Sequence, residues 1–197
     1  SDVCSSDLNA YGHGLLQIAE CASRSGASWL GVALPEEGVE LRKHAISSPI
    51  LVLGDAVGEQ CKFVIDYNLT QTVPSLETAY CLNYHAEQAE KKVRIHLKLD
   101  TGMGRIGFQN TNELEAAINH MQNMKGIIID GAFTHFAAAD ESNSAYTIEQ
   151  INCMENMLQV IRKAGIHLNW THASNSAGAI MFPKANYDMV RCGIGMY

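Results

Sequence analysis

The chain has 197 residues, 47% of them hydrophobic and 18% charged, with a formal charge of -7 at pH 7. That is the balance of a single globular domain with a sizeable core, and its acidity argues against nucleic acid or an anionic membrane as the main partner. No apolar run reaches the roughly 18 residues of a transmembrane helix, and the first residues lack the basic and apolar regions of a signal peptide.

In chain order, the opening SDVCSSDL (1–8) has neither helical period nor strand alternation, and NAYGHG (9–14) reads as a turn with glycine on either side of His13. The junction of Leu8 and Asn9 looks like a seam. Leu15 to Ser25 reads as a helix ending near Gly26, and SWLGVAL (28–34) as an apolar strand. Pro35 with Glu36 and Glu37 starts a helix, proline in the first turn and acids at the positive end of the dipole. PILVLGD (49–55) is a strand, a helix follows from about Val57, and 69–73 is a weakly marked strand. Ser75 is placed to cap the helix LETAYCLNYHAEQAEK.

VRIHLKLD (93–100) alternates strictly. Val93, Ile95, Leu97 and Leu99 share one face; Arg94, His96, Lys98 and Asp100 share the other. Thr111 or Asn112 opens the next helix, and GIIIDGAFTHF (126–136) is a strand. Ile148, Ile151, Met154, Leu158 and Ile161 mark one face of a long helix closed by Gly165. HLNWTHA (167–173) and YDMVRCG (187–193) are the last strands, around a short helix near Ser176 to Met181.

Alternation of this kind means parallel strands with helical crossovers. The expected fold is α/β, a (β/α)8 barrel that is incomplete. Seven strands are legible, the first is missing or replaced where SDVCSSDL stands, and no helix follows the last. A barrel short of its first strand leaves two open sheet edges, which predicts poor solubility. The six cysteines are widely and irregularly spaced with no CxxC, which suits a reduced, cytoplasmic chain better than a disulfide framework or a zinc site.

Polar clusters follow the strands, at the rim where barrel active sites lie: DTGMGRIG (100–107), THFAAADE (134–141), SNSAG (174–178) and RCGIGMY (191–197). Ser176 with the GIG backbone sits where such barrels hold phosphate, although SNSAG alone also reads as an ordinary helix cap. Lys98 points into the barrel if the aliphatics beside it meet the helices; it is either a functional amine or half of a buried Lys–Asp pair. Arg105 could hold an anionic ligand atom or make a surface salt bridge. His135 could stack on a flat ring or be a satisfied core histidine. Arg191, on an otherwise apolar strand, needs a partner. These residues describe a rim site for a phosphate-bearing, planar ligand: pyridoxal phosphate, a flavin or a sugar phosphate.

Taken together and in order, NAYGHG, DTGMGRIG, THFAAADE, NSAG and RCGIGMY resemble the N-terminal barrel domain of bacterial alanine racemase, over 9–197. The resemblance implies pyridoxal 5'-phosphate as cofactor and interconversion of L- and D-alanine for cell-wall peptidoglycan. It implies that Tyr11, Ser176 and the backbone of Gly193 and Ile194 hold the phosphate, with Asn175 beside them. Arg191 would bond the pyridine nitrogen, His135 would support the ring, Arg105 would bond the phenolic oxygen, and Lys98 matches a lysine often carbamylated. It implies a homodimer in which a tyrosine of a C-terminal β domain serves as the second base. Alanine is the expected small-molecule partner, with no nucleic acid and no membrane; a serine or broad-specificity racemase and a non-catalytic cofactor-binding paralogue are the other readings.

The pattern breaks in one place. The lysine and alanine expected before NAYGHG are Asp7 and Leu8 here, so the Schiff-base lysine is absent. Residues 1–8 read like a translated sequencing-library adapter, which would make them a non-native segment, the alternative being a genuine paralogue that lost its lysine; on the adapter reading 9–197 is part of the barrel domain, with the C-terminal domain beyond Tyr197. The chain as written is expected to be inactive.

Overall fold

The computed structural model describes residues 2–6 and 8–197, with side chains from residue 9 onward. Eight parallel strands alternate with helices: β1 (Asp2–Ser6), α1 (Leu8–Tyr11), α2 (Leu15–Arg24), β2 (Trp29–Val32), α3 (Pro35–Lys43), β3 (Ile50–Val52), α4 (Glu59–Asp66), β4 (Thr70–Val73), α5 (Leu76–Gln88), β5 (Val93–Lys98), α6 (Thr111–Met121), β6 (Ile127–Phe133), α7 (Ala145–Lys163), β7 (Trp170–His172), α8 (Ser176–Met181) and β8 (Val190–Cys192). The order across the sheet is β7-β6-β5-β4-β3-β2-β1-β8. A parallel bridge between His172 and Met189, with the Asp188 amide donating to the Thr171 carbonyl at 3.0 Å, joins β8 back to β7. The barrel is therefore closed.

The first strand's place is filled by residues 2–6. Val3 to Ser6 run beside Trp29 to Val32, and Asp2 to Cys4 beside Val190 to Cys192. This corrects the expectation of two open sheet edges. Ladder bonds are made by the main chain, so two facing edges can recruit a segment whose side chains show no strand pattern. After β8 the described chain makes only a single 3₁₀ turn, Ile194–Met196.

The core lies between strands and helices. Ile95, Leu97, Val52 and Val32 meet Leu41, Leu82, Leu114, Ile118, Leu158 and Ile161, all at most 2% exposed. Local signals set the helix starts: Ser75 accepts from the Thr78 amide, and Asn110 from the Glu113 amide. The buried face of α7 is Thr147, Gln150, Met154, Met157, Leu158 and Ile161. Ile148, expected in that face, is 48% exposed. The helix turns Gln150 inward instead, because the loops above it offer hydrogen-bond partners.

The barrel lumen has two levels. Trp29, Leu51 and Met189 form a separate apolar cluster, with Leu53 and Trp170 against it. A hollow of about 510 Å³ at the N-terminal ends of the strands is lined by Trp29, Arg94, Asp130 and Trp170 among others. The upper lumen is polar, with His96, Lys98, His172 and Arg191 all at most 4% exposed.

Candidate active site

A cavity of about 610 Å³ opens at the C-terminal ends of the strands. Tyr11, Lys98, Arg105, His135, Asn175, Ser176, Arg191, Gly193 and Ile194 all line it. Nine residues predicted from scattered motifs thus face one space. Asp7, the tenth, lies outside the described residues.

The NAYGHG segment reaches the rim through a strained turn. Asn9, Ala10 and Tyr11 have φ of 55°, 53° and 55°, a left-handed stretch that is costly for L-residues. Glu37 receives the Asn9 amide at 2.8 Å, and the Asn9 side chain accepts from the Leu15 amide at 2.9 Å. These bonds hold the turn and set Tyr11 at the mouth, edge-on to Tyr197 with ring centroids 5.6 Å apart.

DTGMGRIG leaves β5 and returns to it. Asp100 donates its amide to the Phe108 carbonyl, and Phe108 donates to the Lys98 carbonyl, both at 2.9 Å. Within the loop the Asp100 carboxylate accepts the amides of Gly102, Gly104 and Arg105 at 3.0–3.1 Å. Burial would raise the Asp100 pKa, but these three bonds and the nearby Lys98 charge hold it below the usual carboxylate value. Gly107 has φ 120°, and a Cβ there would lie 2.7 Å from the Lys98 carbonyl oxygen, so only glycine lets the loop close.

Lys98 does lie in the lumen, 2% exposed, and makes no ion pair within 4 Å among the described residues. The Lys–Asp reading fails because Asp100 spends its oxygens on the loop. Nζ donates to the Leu99 carbonyl at 3.2 Å and sits 5.6 Å from the centre of the Phe133 ring. Burial lowers its pKa to about 8; Asp100 works against this, and Arg191 and Arg105 add to it. At pH 7 that leaves roughly a tenth of Lys98 as the free amine, far more than for an ordinary lysine. Arg105 is exposed at the mouth and makes no ion pair among the described residues, so the surface salt bridge is not there.

Arg191 is 4% exposed and held by neutral partners. It donates to His172 Nδ1 at 2.6 Å and to the carbonyls of Thr134 and Ala173 at 2.7 and 2.9 Å. Burial and the nearby Arg105 lower its pKa to about 9, so it stays charged at neutral pH. A guanidinium can only donate, so His172 Nδ1 is an acceptor and its proton is on Nε2. Nε2 then donates to His96 Nδ1 at 2.9 Å, which leaves the His96 proton on Nε2, a buried atom with no hydrogen-bond partner. Burial first, then the Arg191 charge, lowers the pKa of His96 to about 3 and that of His172 well below its usual value. His135, half-buried, has its Nδ1 3.4 Å from Arg191. Burial, Arg191, Arg105 and Lys98 lower its pKa to about 3, so it too is neutral.

Opposite this cationic wall, Ser176 Oγ accepts the amides of Gly193 and Gly195, each at 3.1 Å. This ties α8 to the β8 loop and leaves the hydroxyl hydrogen free to turn toward a ligand. Asn175 is the α8 cap, accepting from Gly178 at 2.9 Å and donating to the Phe136 carbonyl at 3.3 Å. The capping reading of SNSAG thus holds for Asn175, while Ser176 faces the cavity.

One residue that the sequence did not flag organises two of these loops. Gln150 of α7 is fully buried; its carbonyl accepts from the Ala137 amide at 3.0 Å, and its amide donates to the His135 carbonyl at 3.1 Å and Thr101 Oγ1 at 3.3 Å. Thr101 in turn bonds Thr134 at 2.7 Å. The sequence pattern gave no signal for it, since position 150 lies off the stripe of Ile148, Ile151, Met154, Leu158 and Ile161.

The residues fit a planar group carrying phosphate. Ser176 can aim its hydroxyl at an anion, beside glycine amides that donate to its oxygen in this structure; Arg191 and His135 line the same cavity, and Arg105 adds positive charge at the mouth. A covalent anchor on β1 is not among the described residues, and Lys98 is the one lysine among those lining the cavity.

The family model for the alanine racemase N-terminal domain matches residues 8–197. The alanine racemase of Symbiobacterium thermophilum is 42% identical over 188 residues, 95% of this chain and 50% of that protein. That of Halothermothrix orenii is 41% identical over 96% of this chain and 50% of its own length. The structure of alanine racemase from Clostridium difficile 630 superposes with a TM-score of 0.96 at 37% identity, over 100% of this chain and 52% of that one. Its complex with cycloserine gives 0.95 at 38% identity. The chain spans about half the length of the relatives it matches.

Proposed function

The chain belongs to the alanine racemase N-terminal domain family, and from that premise we propose that it is the cofactor-binding part of a racemase interconverting L- and D-alanine. Family members depend on pyridoxal 5'-phosphate, which when bound stabilises negative charge at the substrate α-carbon. The single observation that carries the reading is the convergence of nine motif residues on one cavity at the strand C-termini. The cycloserine complex of a relative supports an amino-acid-like ligand.

In this reading Ser176 and the Ile194 amide would hold the phosphate, helped by Tyr11, with Asn175 fixing the loop; the Gly193 amide, donated to Ser176 Oγ in this structure, would have to turn from it to join them. Arg191 would hold the pyridine nitrogen: a charged guanidinium can donate a hydrogen bond but not accept one, so it would favour the unprotonated nitrogen and a weak electron sink. Weak withdrawal demands well-placed acid and base groups on each face of the substrate. His135 borders the ring, and Arg105 is placed for its phenolic oxygen. Lys98, unpaired and partly neutral, can add to carbon dioxide; the carbamate formed would offer Arg105 an anion. The product fits a supply of D-alanine for peptidoglycan, in a cytoplasmic homodimer whose second base comes from a C-terminal domain.

As written, the chain would not racemise, because Asp7 stands where the family's lysine stands. The family match begins at residue 8, so of the segment read as foreign only residues 1–7 lie outside it. The test is to resequence the source DNA before the Asn9 codon, and to build the full-length gene with lysine at position 7. D-alanine formation in the restored protein, with none in the Asp7 form, is the expected result. A restored protein that binds cofactor without racemising alanine would overturn the reading, and turnover of serine instead would change the substrate.

A further inference from the structure

Helices α4 and α5 pack side by side beneath the loop that leads from β3 into α4. Cys61 of α4 is fully buried, and its thiol donates to the Ala56 carbonyl at 3.4 Å. Cys81 of α5 is partly exposed, and its thiol donates to the Gly58 carbonyl at 3.6 Å. Two thiols from helices packed against each other thus hold carbonyls two residues apart, and Cys81 is near enough to Cys61 to raise its pKa. The loop they hold is a wall of the cavity: Gly54 and Asp55 line it. The Asp55 carboxylate accepts from Thr78 Oγ1, one turn before Cys81 on α5, at 2.7 Å.

We propose that Cys61 and Cys81 form a dithiol site oxidised by low-molecular-weight disulfides, and that closing the disulfide releases the Gly54–Gly58 wall of the cavity. The inference needs neither the cofactor nor the racemase reading. The partly exposed Cys81 thiolate attacks one sulfur of the incoming disulfide, forming a mixed disulfide and expelling one thiolate. The Cys61 thiolate then attacks the Cys81 sulfur and expels the second. Two protein thiols are oxidised, the small disulfide is reduced to two thiols, and the protein's two protons end on them. Burial, the Cys81 side chain and Asp55 raise the Cys61 pKa. Once Cys81 is in the mixed disulfide it can carry no negative charge beside Cys61, which removes one of the influences raising the Cys61 pKa, so the second step is slow but open. The finished disulfide has no S–H, so the Ala56 and Gly58 carbonyls lose these donors. Ala56 is 0% exposed, so water does not replace the bond unless the loop moves.

The test treats the folded chain with oxidised glutathione and maps it with trypsin, which places Cys61 in peptide 44–62 and Cys81 in peptide 63–91. The expected result is a disulfide joining those two peptides, with roughly tenfold faster amide exchange over residues 54–58 as local opening becomes easier, both reversed by dithiothreitol. Cys81→Ser keeps a hydroxyl donor for the Gly58 carbonyl; it should abolish the link and leave loop exchange unchanged under oxidant. Glutathione retained on Cys81 without closure, or pairing with Cys21, Cys153 or Cys192 instead, overturns the site. Closure with unchanged loop exchange overturns its coupling to the cavity.

Discussion

At the scale of single residues, one guanidinium dictates the protonation of two histidines. Because Arg191 can only donate, His172 and His96 must both carry their proton on Nε2. Imidazole ¹⁵N shifts should show two rings in the neutral Nε2–H form, unchanged between pH 5 and 8 (about the window in which a free histidine titrates). A ring that titrates within it would break the chain of inference. Gln150 is the second prediction. Gln150→Leu strands the Ala137 amide and the His135 carbonyl and should cost about 2 kcal/mol in chemical denaturation. Lys98 was legible in the sequence, because strict alternation along 93–100 put it opposite four aliphatics. Gln150 was not, because a polar side chain on an amphipathic helix ordinarily marks the solvent face, and only the tertiary arrangement supplies its three partners. Nor was the loss of Asp100 as a partner for Lys98 legible, since it depends on where three loop amides point.

At the scale of elements, the DTGMGRIG loop is a preformed platform, because one carboxylate gathers three amides within six residues. Asp100→Ala should cost about 1–3 kcal/mol and raise hydrogen exchange at Gly102, Gly104 and Arg105 well before neighbouring strands open. Retained protection there would show that the glycine backbone alone sets the loop. Strand β6 has a comparable dependence on Gly131, where a Cβ would lie 2.7 Å from the Trp170 carbonyl oxygen and 2.8 Å from His96 Nε2. Gly131→Ala should therefore destabilise by about 1–3 kcal/mol, measured as a lowered melting temperature. The order of elements could be read from alternating periods, and Ser75 and the Ser176–Met181 helix stand where their residues predict. The first strand could not be read, because its pairing belongs to the backbones of β2 and β8 and leaves no mark on residues 2–6.

At the scale of the whole molecule, buried imidazoles and a buried amine make stability depend on pH at both ends. His96 and His135 have pKa values near 3 in the folded chain against 6.5 when free. The unfolded state binds more protons between these values, so stability falls as pH drops from about 6.5 toward 3. Lys98, at about 8 against 10.5, acts in the same sense, so stability rises as pH climbs through that window. Arg191, at about 9 against 12.5, adds to the alkaline slope and the raised Cys61 thiol opposes it, so melting curves of Lys98→Met should show a smaller rise between about pH 8 and 10.5. The two-level lumen has a further consequence. Among the described residues, Trp29, Leu51 and Met189 form an apolar layer of their own, while Tyr11 and Arg105 line the cavity at the C-terminal ends of the strands. A body resting on those two residues would govern arrival and departure together.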